Sequence, residues 1–134
     1  MLRKSRLLTA VALLVAVPVG GALAQADPAL VGAWTGTAVQ TYPDGVVNGR
    51  PASFVFLPDG TGTTEYPSSA CRGVLAPLLE RGPGVFRETI TTGIQDCASN
   101  GVFTFTLAAD GLRFDWTSAK YGVASGVLQR FVTK

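Results

Sequence analysis

The sequence predicts an all-β domain, an antiparallel up-and-down meander of about eight strands that closes into a small barrel, with a β-sandwich as the alternative. Turn-forming clusters recur at short intervals, and the segments between them alternate apolar and polar side chains with the period of two typical of half-buried strands. Residues 27–134 lack a long segment with helical periodicity and are rich in threonine and glycine. Barrel closure would remove the unpaired edges of such a sheet.

Turn clusters divide the domain into its predicted elements. The turns are Pro43-Asp44-Gly45, Asn48-Gly49, Pro58-Asp59-Gly60, 81–84, 99–101, Asp110-Gly111 and 119–122. The strands predicted between them are 31–42, 46–57, 61–66, 71–80, 85–94, 101–109, 112–118 and 123–132. The hairpin through Ala109-Asp110-Gly111 is the clearest local signal, because a turn dipeptide separates two alternating segments.

Alternation assigns a core face to the aromatic strands. Phe103, Phe105 and Leu107 share one face of their strand, and Leu112, Phe114 and Trp116 share one face of the next. Phe54 and Phe56 do the same in the second strand.

Two prolines interrupt this pattern, because proline cannot donate a hydrogen bond to a sheet. We expect a break near Pro51 in the second strand. We expect an edge, a bulge or a shorter strand at Pro77 in the fourth.

The first 26 residues match a secretory signal peptide, which predicts a mature single domain over 27–134. Arg3, Lys4 and Arg6 precede an apolar run of 11 residues (7–17). A small-x-small pattern at the end of this segment predicts cleavage after Ala26. The run is too short to cross a bilayer of about 30 Å. We therefore expect a periplasmic or secreted protein without stable membrane insertion, and without a lipid anchor because no cysteine follows the run.

The predicted leader changes the charge of the domain. It holds three of the 11 basic residues and none of the nine acidic ones, so residues 27–134 carry a net charge of −1. A near-neutral domain gives no reason to expect nucleic acid as a partner.

Two cysteines, Cys71 and Cys97, lie in the predicted mature domain. An even cysteine count in a small exported domain predicts one disulfide. Neither cysteine belongs to a CxxC pair or has a third metal ligand nearby in the sequence, so a metal site is not expected.

Closure of the barrel would pair the first strand with the last and bring Trp34 next to Arg130. The guanidinium would then stack on the indole ring and close one end of the barrel. The Gly32-Ala33-Trp34 motif and the late Arg130 resemble lipocalins and their calycin relatives, in which this pair forms such a plug.

A second resemblance covers most of residues 32–130. It is to a small extracytoplasmic β-domain that occurs alone or attached outside bacterial membrane kinases and proteases, and it implies a sensing or binding module without assigned chemistry. The matching residues, in order, are Trp34-Thr35-Gly36-Thr37, Tyr66-Pro67-Ser68, Cys71, Gly73-Val74-Leu75, Phe86-Arg87-Glu88, Ile90, Gly93, Cys97, Trp116 and Ala124-x-Gly126-x-Leu128-x-Arg130.

Three residues are candidate ligand contacts: Tyr66, Glu88 and Trp116. Tyr66 precedes a constrained corner or presents an aromatic ring at the mouth of the barrel. Glu88 shares a face with Phe86 and Ile90, where an unpaired carboxylate would be costly to bury. It is therefore solvated, paired with Arg72, Arg113 or Arg130, or placed as a polar anchor in a mostly apolar cavity.

The composition argues against catalysis. The chain has no histidine, which excludes a Ser-His-Asp triad, a Cys-His dyad and a His-ligated metal. It also lacks a P-loop and a GxGxxG motif. The carboxylates Glu65, Glu80, Glu88, Asp96 and Asp115 show no spacing that singles out a catalytic pair. We expect no enzyme activity, no cofactor and no metal.

The sequence leaves three functions open. The first is an exported binding module of the bacterial envelope that takes a small, mostly apolar ligand or an envelope protein. The second is a proteinaceous inhibitor of a protease or lysozyme that presents the loops 43–51 and 80–84. The third is a generic envelope module without a tight ligand.

Overall fold

The computed structural model describes residues 27–132. The predicted signal peptide (1–26) and residues 133–134 lie outside the described residues. Eight strands follow one another in the described part: β1 Gly32–Thr41, β2 Val47–Phe56, β3 Gly62–Tyr66, β4 Cys71–Pro77, β5 Val85–Thr92, β6 Val102–Ala108, β7 Gly111–Ser118 and β8 Gly122–Arg130. Short 3-10 turns at Pro67–Ser69 and Leu79–Arg81 flank β4.

The eight strands form one closed barrel. Each strand pairs antiparallel with the next, and β8 returns to pair with β1. Trp34 of β1 lies opposite Arg130, and Gln40 lies opposite Ala124. The predicted meander and its closure are confirmed, and the β-sandwich alternative is wrong. Closure gives the backbone N–H and C=O groups of the first and last strands hydrogen-bond partners, which two open edges would lack.

The expected turn at Asn48-Gly49 is wrong, because both residues lie in β2 and pair with Gln40 and Val39 of β1.

The expected break at Pro51 does not occur either, since β2 continues through it. The Leu57 N–H bonds to the Thr61 carbonyl on the β3 side, and alternation directs the Pro51 nitrogen to that same side. β3 pairs with β2 only from Ser53 onward. On the β3 side, Pro51 therefore has no paired strand, and its missing N–H removes no hydrogen bond of the sheet.

The expectation for Pro77 is confirmed, since β4 ends there and its pairing with β5 shifts register between Arg72 and Gly73.

Aromatic rings fill the barrel interior. Phe54 is fully buried, and its ring centroid lies 5.3 Å from that of Phe103, 5.4 Å from Phe105 and 5.5 Å from Phe114. Most of these contacts are edge-to-face, the arrangement that the ring quadrupole favours. Leu107, expected on the same core face, is 45% exposed because it lies past the aromatic layer at the hairpin that ends β6.

The small residues of β1 and β8 make room for these rings. Gly126 lies against Phe114, and a Cβ at position 126 would be 2.7 Å from the nearest ring carbon. A Cβ at position 36 would likewise lie too close to the Leu128 side chain, at 2.9 Å. The small-residue faces of the first and last strands therefore receive core side chains, which leaves little of the interior free for a ligand.

Candidate functional site

The barrel has two ends that differ in construction. The closed end is where β1 begins, and it carries the connections 57–61, 78–84 and 109–110. The open end is where β1 finishes, and it carries the connections 42–46, 67–70, 93–101 and 119–121.

The segment before β1 seals the closed end. The buried Trp34 indole N–H donates to the Leu30 carbonyl over 2.9 Å. The Arg130 guanidinium lies 4.4 Å above the Trp34 ring and donates to the Val31 and Ala29 carbonyls over 2.9 and 2.6 Å. Trp34 and Arg130, which were predicted to form a plug, are thus in stacking contact. Their N–H groups donate hydrogen bonds to the backbone segment that covers this end.

A cavity of about 50 Å³ lies inside the open end. We call it the open-end pocket. Each water needs roughly 10–15 Å³ of such volume, so the pocket holds a few water molecules or a small chemical group. Its lining residues are Ala38, Gln40, Arg50, Phe54, Tyr66, Glu88, Ile90, Cys97, Ala98, Phe103, Phe114, Trp116 and Ala124. The structure brings Tyr66, Glu88 and Trp116, the three candidate ligand contacts, to this one pocket.

Glu88 and Tyr66 form a buried hydrogen-bonded pair in the pocket. Alternation along β5 turns Glu88 inward with Phe86 and Ile90, and Tyr66 ends β3 on the inward face. The Tyr66 hydroxyl donates to Glu88 Oε2 over 2.6 Å, and Glu88 is only 2% exposed. The second carboxylate oxygen accepts no hydrogen bond from a side chain of residues 27–132.

Burial sets the protonation behaviour of this pair. Loss of hydration raises the pKa of Glu88, while the hydrogen bond from Tyr66 and the nearness of the Thr64 hydroxyl lower it by less. Loss of hydration, together with the Glu88 charge, raises the pKa of Tyr66 well above its usual value of 10.0. Tyr66 therefore remains a neutral hydrogen-bond donor throughout the physiological range.

The arginines that the sequence offered as partners for Glu88 do not contact it. Arg72 lies 3.5 Å from Glu65, and Arg113 pairs with Asp110 at 2.8 Å, both on the barrel exterior. Arg130 is committed to the closed end. The prediction failed because side chains at alternate strand positions point outward, away from an inward carboxylate.

Arg50 and Gln40 complete the polar lining, although neither was among the predicted ligand contacts. Arg50 Nη2 donates to the Tyr42 hydroxyl over 2.9 Å, and Gln40 Nε2 donates to the Tyr121 carbonyl over 3.0 Å. The signal was present, because counting back by twos from Phe54 places Arg50 on the inward face of β2.

Unpartnered polar atoms gather at this pocket. Within residues 27–132, three buried side-chain atoms have no hydrogen-bond partner: Arg50 Nε, Thr64 Oγ1 and Trp116 Nε1. Arg50 and Trp116 line the pocket, and Thr64 lies beside the Tyr66–Glu88 pair without a hydrogen bond of regular geometry. Buried polar groups are normally hydrogen-bonded to protein, water or ligand, so these atoms remain free to bond to a molecule that enters the pocket.

The disulfide braces the same end. Cys71 begins β4 and is bonded to Cys97 in the connection 93–101, with 6.4 Å between their Cα atoms. The predicted disulfide is confirmed. Cys97 also lines the pocket, and the Ser99 hydroxyl accepts the Ile90 N–H over 3.0 Å. The bridge therefore holds a pocket wall against β4 and β5.

The acidic side chains and the two cysteines of residues 27–132 do not form a metal-binding cluster. That part of the chain contains no group of three or more His, Cys, Asp or Glu side chains arranged to hold a metal ion. It also contains no helix long and apolar enough to cross a membrane.

Comparison of the chain with known protein families, with curated proteins and with solved structures found no match.

Proposed function

We propose that this protein is an exported, non-enzymatic binding module of the bacterial envelope whose binding site is the open-end pocket. The observation that carries the proposal is the convergence of Glu88 and the unpartnered atoms of Arg50 and Trp116 on one cavity. Binding sites combine apolar walls with a few placed polar groups. The aromatic walls and the polar rim of this pocket have that composition.

The size of the pocket restricts the ligand. An apolar molecule inside the barrel, the first expectation from the sequence, would need far more than about 50 Å³. For comparison, an engineered apolar cavity that binds benzene has a volume of about 150 Å³. We therefore propose that the pocket takes one small polar group of a ligand and that the rest of the ligand stays outside the mouth.

Export is part of the proposal. The predicted leader over 1–26 supports secretion or a periplasmic location. The Cys71–Cys97 disulfide supports an oxidising compartment, because reducing compartments keep thiols free. The resemblance to small extracytoplasmic β-domains points to the same location and to a sensing or binding role.

The second candidate, an inhibitor of a protease or lysozyme, needs a different surface. The two loops proposed for it lie at opposite ends of the barrel, and residues 47–51 of the first belong to β2. An inhibitor would therefore use one end at a time. The exposed Val46 and Ile94, in two connections of the open end, favour that end.

Native mass spectrometry of the protein purified from its own host tests the proposal. We expect a bound small molecule on the wild type and on Ala76→Leu, an exposed wall position, and none on Ala124→Leu, which fills the pocket. Wild-type protein with the mass of the chain alone would contradict a ligand-binding module. Retention of the molecule by Ala124→Leu would move the site elsewhere.

A further inference from the structure

We propose that the open-end pocket recognises a primary ammonium group, which donates hydrogen bonds to the free oxygen of Glu88 among the surrounding aromatic rings. The inference deepens the proposed function and rests on it, since it names the chemical class that the pocket selects.

The charge of Glu88 is the first argument. Its carboxylate is 2% exposed and receives one hydrogen bond, from the neutral Tyr66 hydroxyl. Within residues 27–132, no Lys or Arg nitrogen lies within ion-pair distance of Glu88. A buried carboxylate without a cation at ion-pair distance is destabilised by its lost hydration, so a cationic group entering the pocket would compensate part of that loss.

The walls are the second argument. The rings of Phe54, Tyr66, Phe103 and Trp116 all line the pocket. Aromatic ring faces attract cations, and the attraction strengthens when the cation is shielded from water. An anion in the same place would lie beside the Glu88 carboxylate, and Arg50 is the one cationic side chain among the lining residues.

The size and the rim are the third argument. A volume of about 50 Å³ accepts an ammonium group with a short alkyl stem. Arg50 lines the same pocket with its Nε atom unpartnered, and this atom donates to an acceptor. An ammonium group with a carbonyl or carboxylate close to it, as in a free amino acid or a peptide N-terminus, matches both sets of groups.

Three probes of similar size separate the possible ligand classes. We expect propylammonium to shift the backbone amide signals of Glu88, Tyr66 and Trp116 in a saturable way in two-dimensional NMR spectra of the purified exported protein. Propionate and propionamide should bind at least about tenfold more weakly. Equal or tighter binding of propionate or propionamide at these residues overturns the ammonium proposal and leaves the pocket as a binding site. No shift with any of the three overturns both proposals.

A matched pair of variants assigns the effect to Glu88. Glu88→Gln keeps an oxygen for the Tyr66 hydroxyl but removes the charge, and we expect at least about a tenfold loss of propylammonium affinity. Glu65→Gln removes an exposed carboxylate that pairs with Arg72 and should leave the affinity unchanged. Equal affinity of Glu88→Gln and wild type overturns the proposal.

A pH profile of the wild type gives a test without substitution. Tyr66 and Arg50 are the other ionisable side chains lining the pocket, and burial raises the pKa of Tyr66 well above the range of about pH 4 to about pH 7.5 used here. Propylammonium should therefore bind progressively more weakly as the pH falls and Glu88 gains a proton. An affinity that stays constant over this range overturns the proposal.

Peptides separate the two sources of an ammonium group. Triglycine binding tighter than glycinamide points to a peptide N-terminus, and the reverse order points to a free small amine. N-acetyl-triglycine has no ammonium group and should not compete. Binding of the acetylated peptide as tight as that of triglycine overturns the proposal.

Discussion

The two ends of the barrel share one wall of eight strands but treat polar groups in opposite ways. At the closed end, the Trp34 indole N–H and both Arg130 amino groups meet backbone carbonyls of the segment before β1. At the open end, Glu88 is buried without a cation, and Arg50 Nε and Trp116 Nε1 lack partners within residues 27–132. Buried polar groups that all have hydrogen-bond partners stabilise a fold. Buried polar groups without partners destabilise it and remain able to bond to water or a ligand.

The cavities follow the same division. The cavity at the closed end, lined by Leu30, Phe56 and Phe86 among others, has a volume of about 20 Å³. The open-end pocket has about 50 Å³ and is lined by Glu88, Arg50 and Gln40, whereas Asp27 is the one charged residue at the closed-end cavity. If the open-end pocket is the binding site, as we propose, substitutions at the two ends should separate stability from binding.

The largest expected effect is at the closed end. Trp34→Ala removes a buried indole, its hydrogen bond to Leu30 and the surface on which Arg130 stacks. We expect a loss of about 3–5 kcal/mol in the free energy of unfolding, measured by urea denaturation. A loss below about 1 kcal/mol would show that Trp34 is not the seal of this end.

Removal of the disulfide should lower the free energy of unfolding nearly as much, and it should loosen the open end. The Cys71→Ala/Cys97→Ala double variant frees a loop with a sequence separation of 26 residues. Loss of this cross-link is worth roughly 3–4 kcal/mol in the chain-entropy model. Hydrogen exchange should rise in residues 93–101, which the bridge holds against the pocket. Uniform protection in both proteins would contradict a bracing role at the open end.

Arg130→Lys should have an intermediate effect on stability. Lysine keeps the charge but cannot stack a planar guanidinium on Trp34 while donating to Val31 and Ala29 from two nitrogens. We expect a loss of about 1–2 kcal/mol by thermal unfolding, with propylammonium binding at the open end unchanged. Altered binding in this variant would show that the two ends are coupled.

The smallest effect has the opposite sign. Glu88→Gln removes a charge that burial disfavours, so we expect a gain of about 1 kcal/mol at neutral pH together with the loss of ammonium binding. Glu65→Gln, in an exposed ion pair, should change stability by less than about 0.5 kcal/mol. A large loss of stability in Glu88→Gln would show that the carboxylate is structural.

The pH dependence of stability sharpens the same point. The folded pKa of Glu88 is raised, so the folded state holds the proton more tightly than the unfolded chain. Its contribution to stability is complete below the ordinary glutamate pKa of 4.5 and is lost as the pH rises through the folded pKa. Wild type should therefore lose stability relative to Glu88→Gln over this window. Parallel pH profiles of the two proteins would contradict the assignment.

Much of the fold could be predicted because the information is local. The period of two in the segment containing Phe103 and Phe105 reports its strand directly, and Asp110-Gly111 reports the hairpin. Position relative to the barrel ends was harder to predict. Leu107 keeps the inward phase but lies exposed beyond the aromatic layer, and Pro51 is tolerated because β3 is too short to reach it.

The candidate site was predictable only in part. Tyr66, Glu88 and Trp116 were recognised as unusual residue types in apolar strands, but their partners were not. Arg50 is 38 residues from Glu88 in the chain, and its place in the pocket depends on how the barrel wraps. The arginines that looked suitable for Glu88 point outward or lie at the other end.

The sequence by itself determined the eight strands, most of their turns, the disulfide and the inward phase of the aromatic strands, because these follow from neighbours a few residues apart and from cysteine count. It misplaced the Asn48-Gly49 turn, which lies inside β2. Only the tertiary structure decided that the aromatic rings fill the interior and that a small cavity remains at one end. It alone decided that Glu88 meets a tyrosine and no arginine within residues 27–132. These outcomes depend on register and closure, which place residues far apart in the chain against one another.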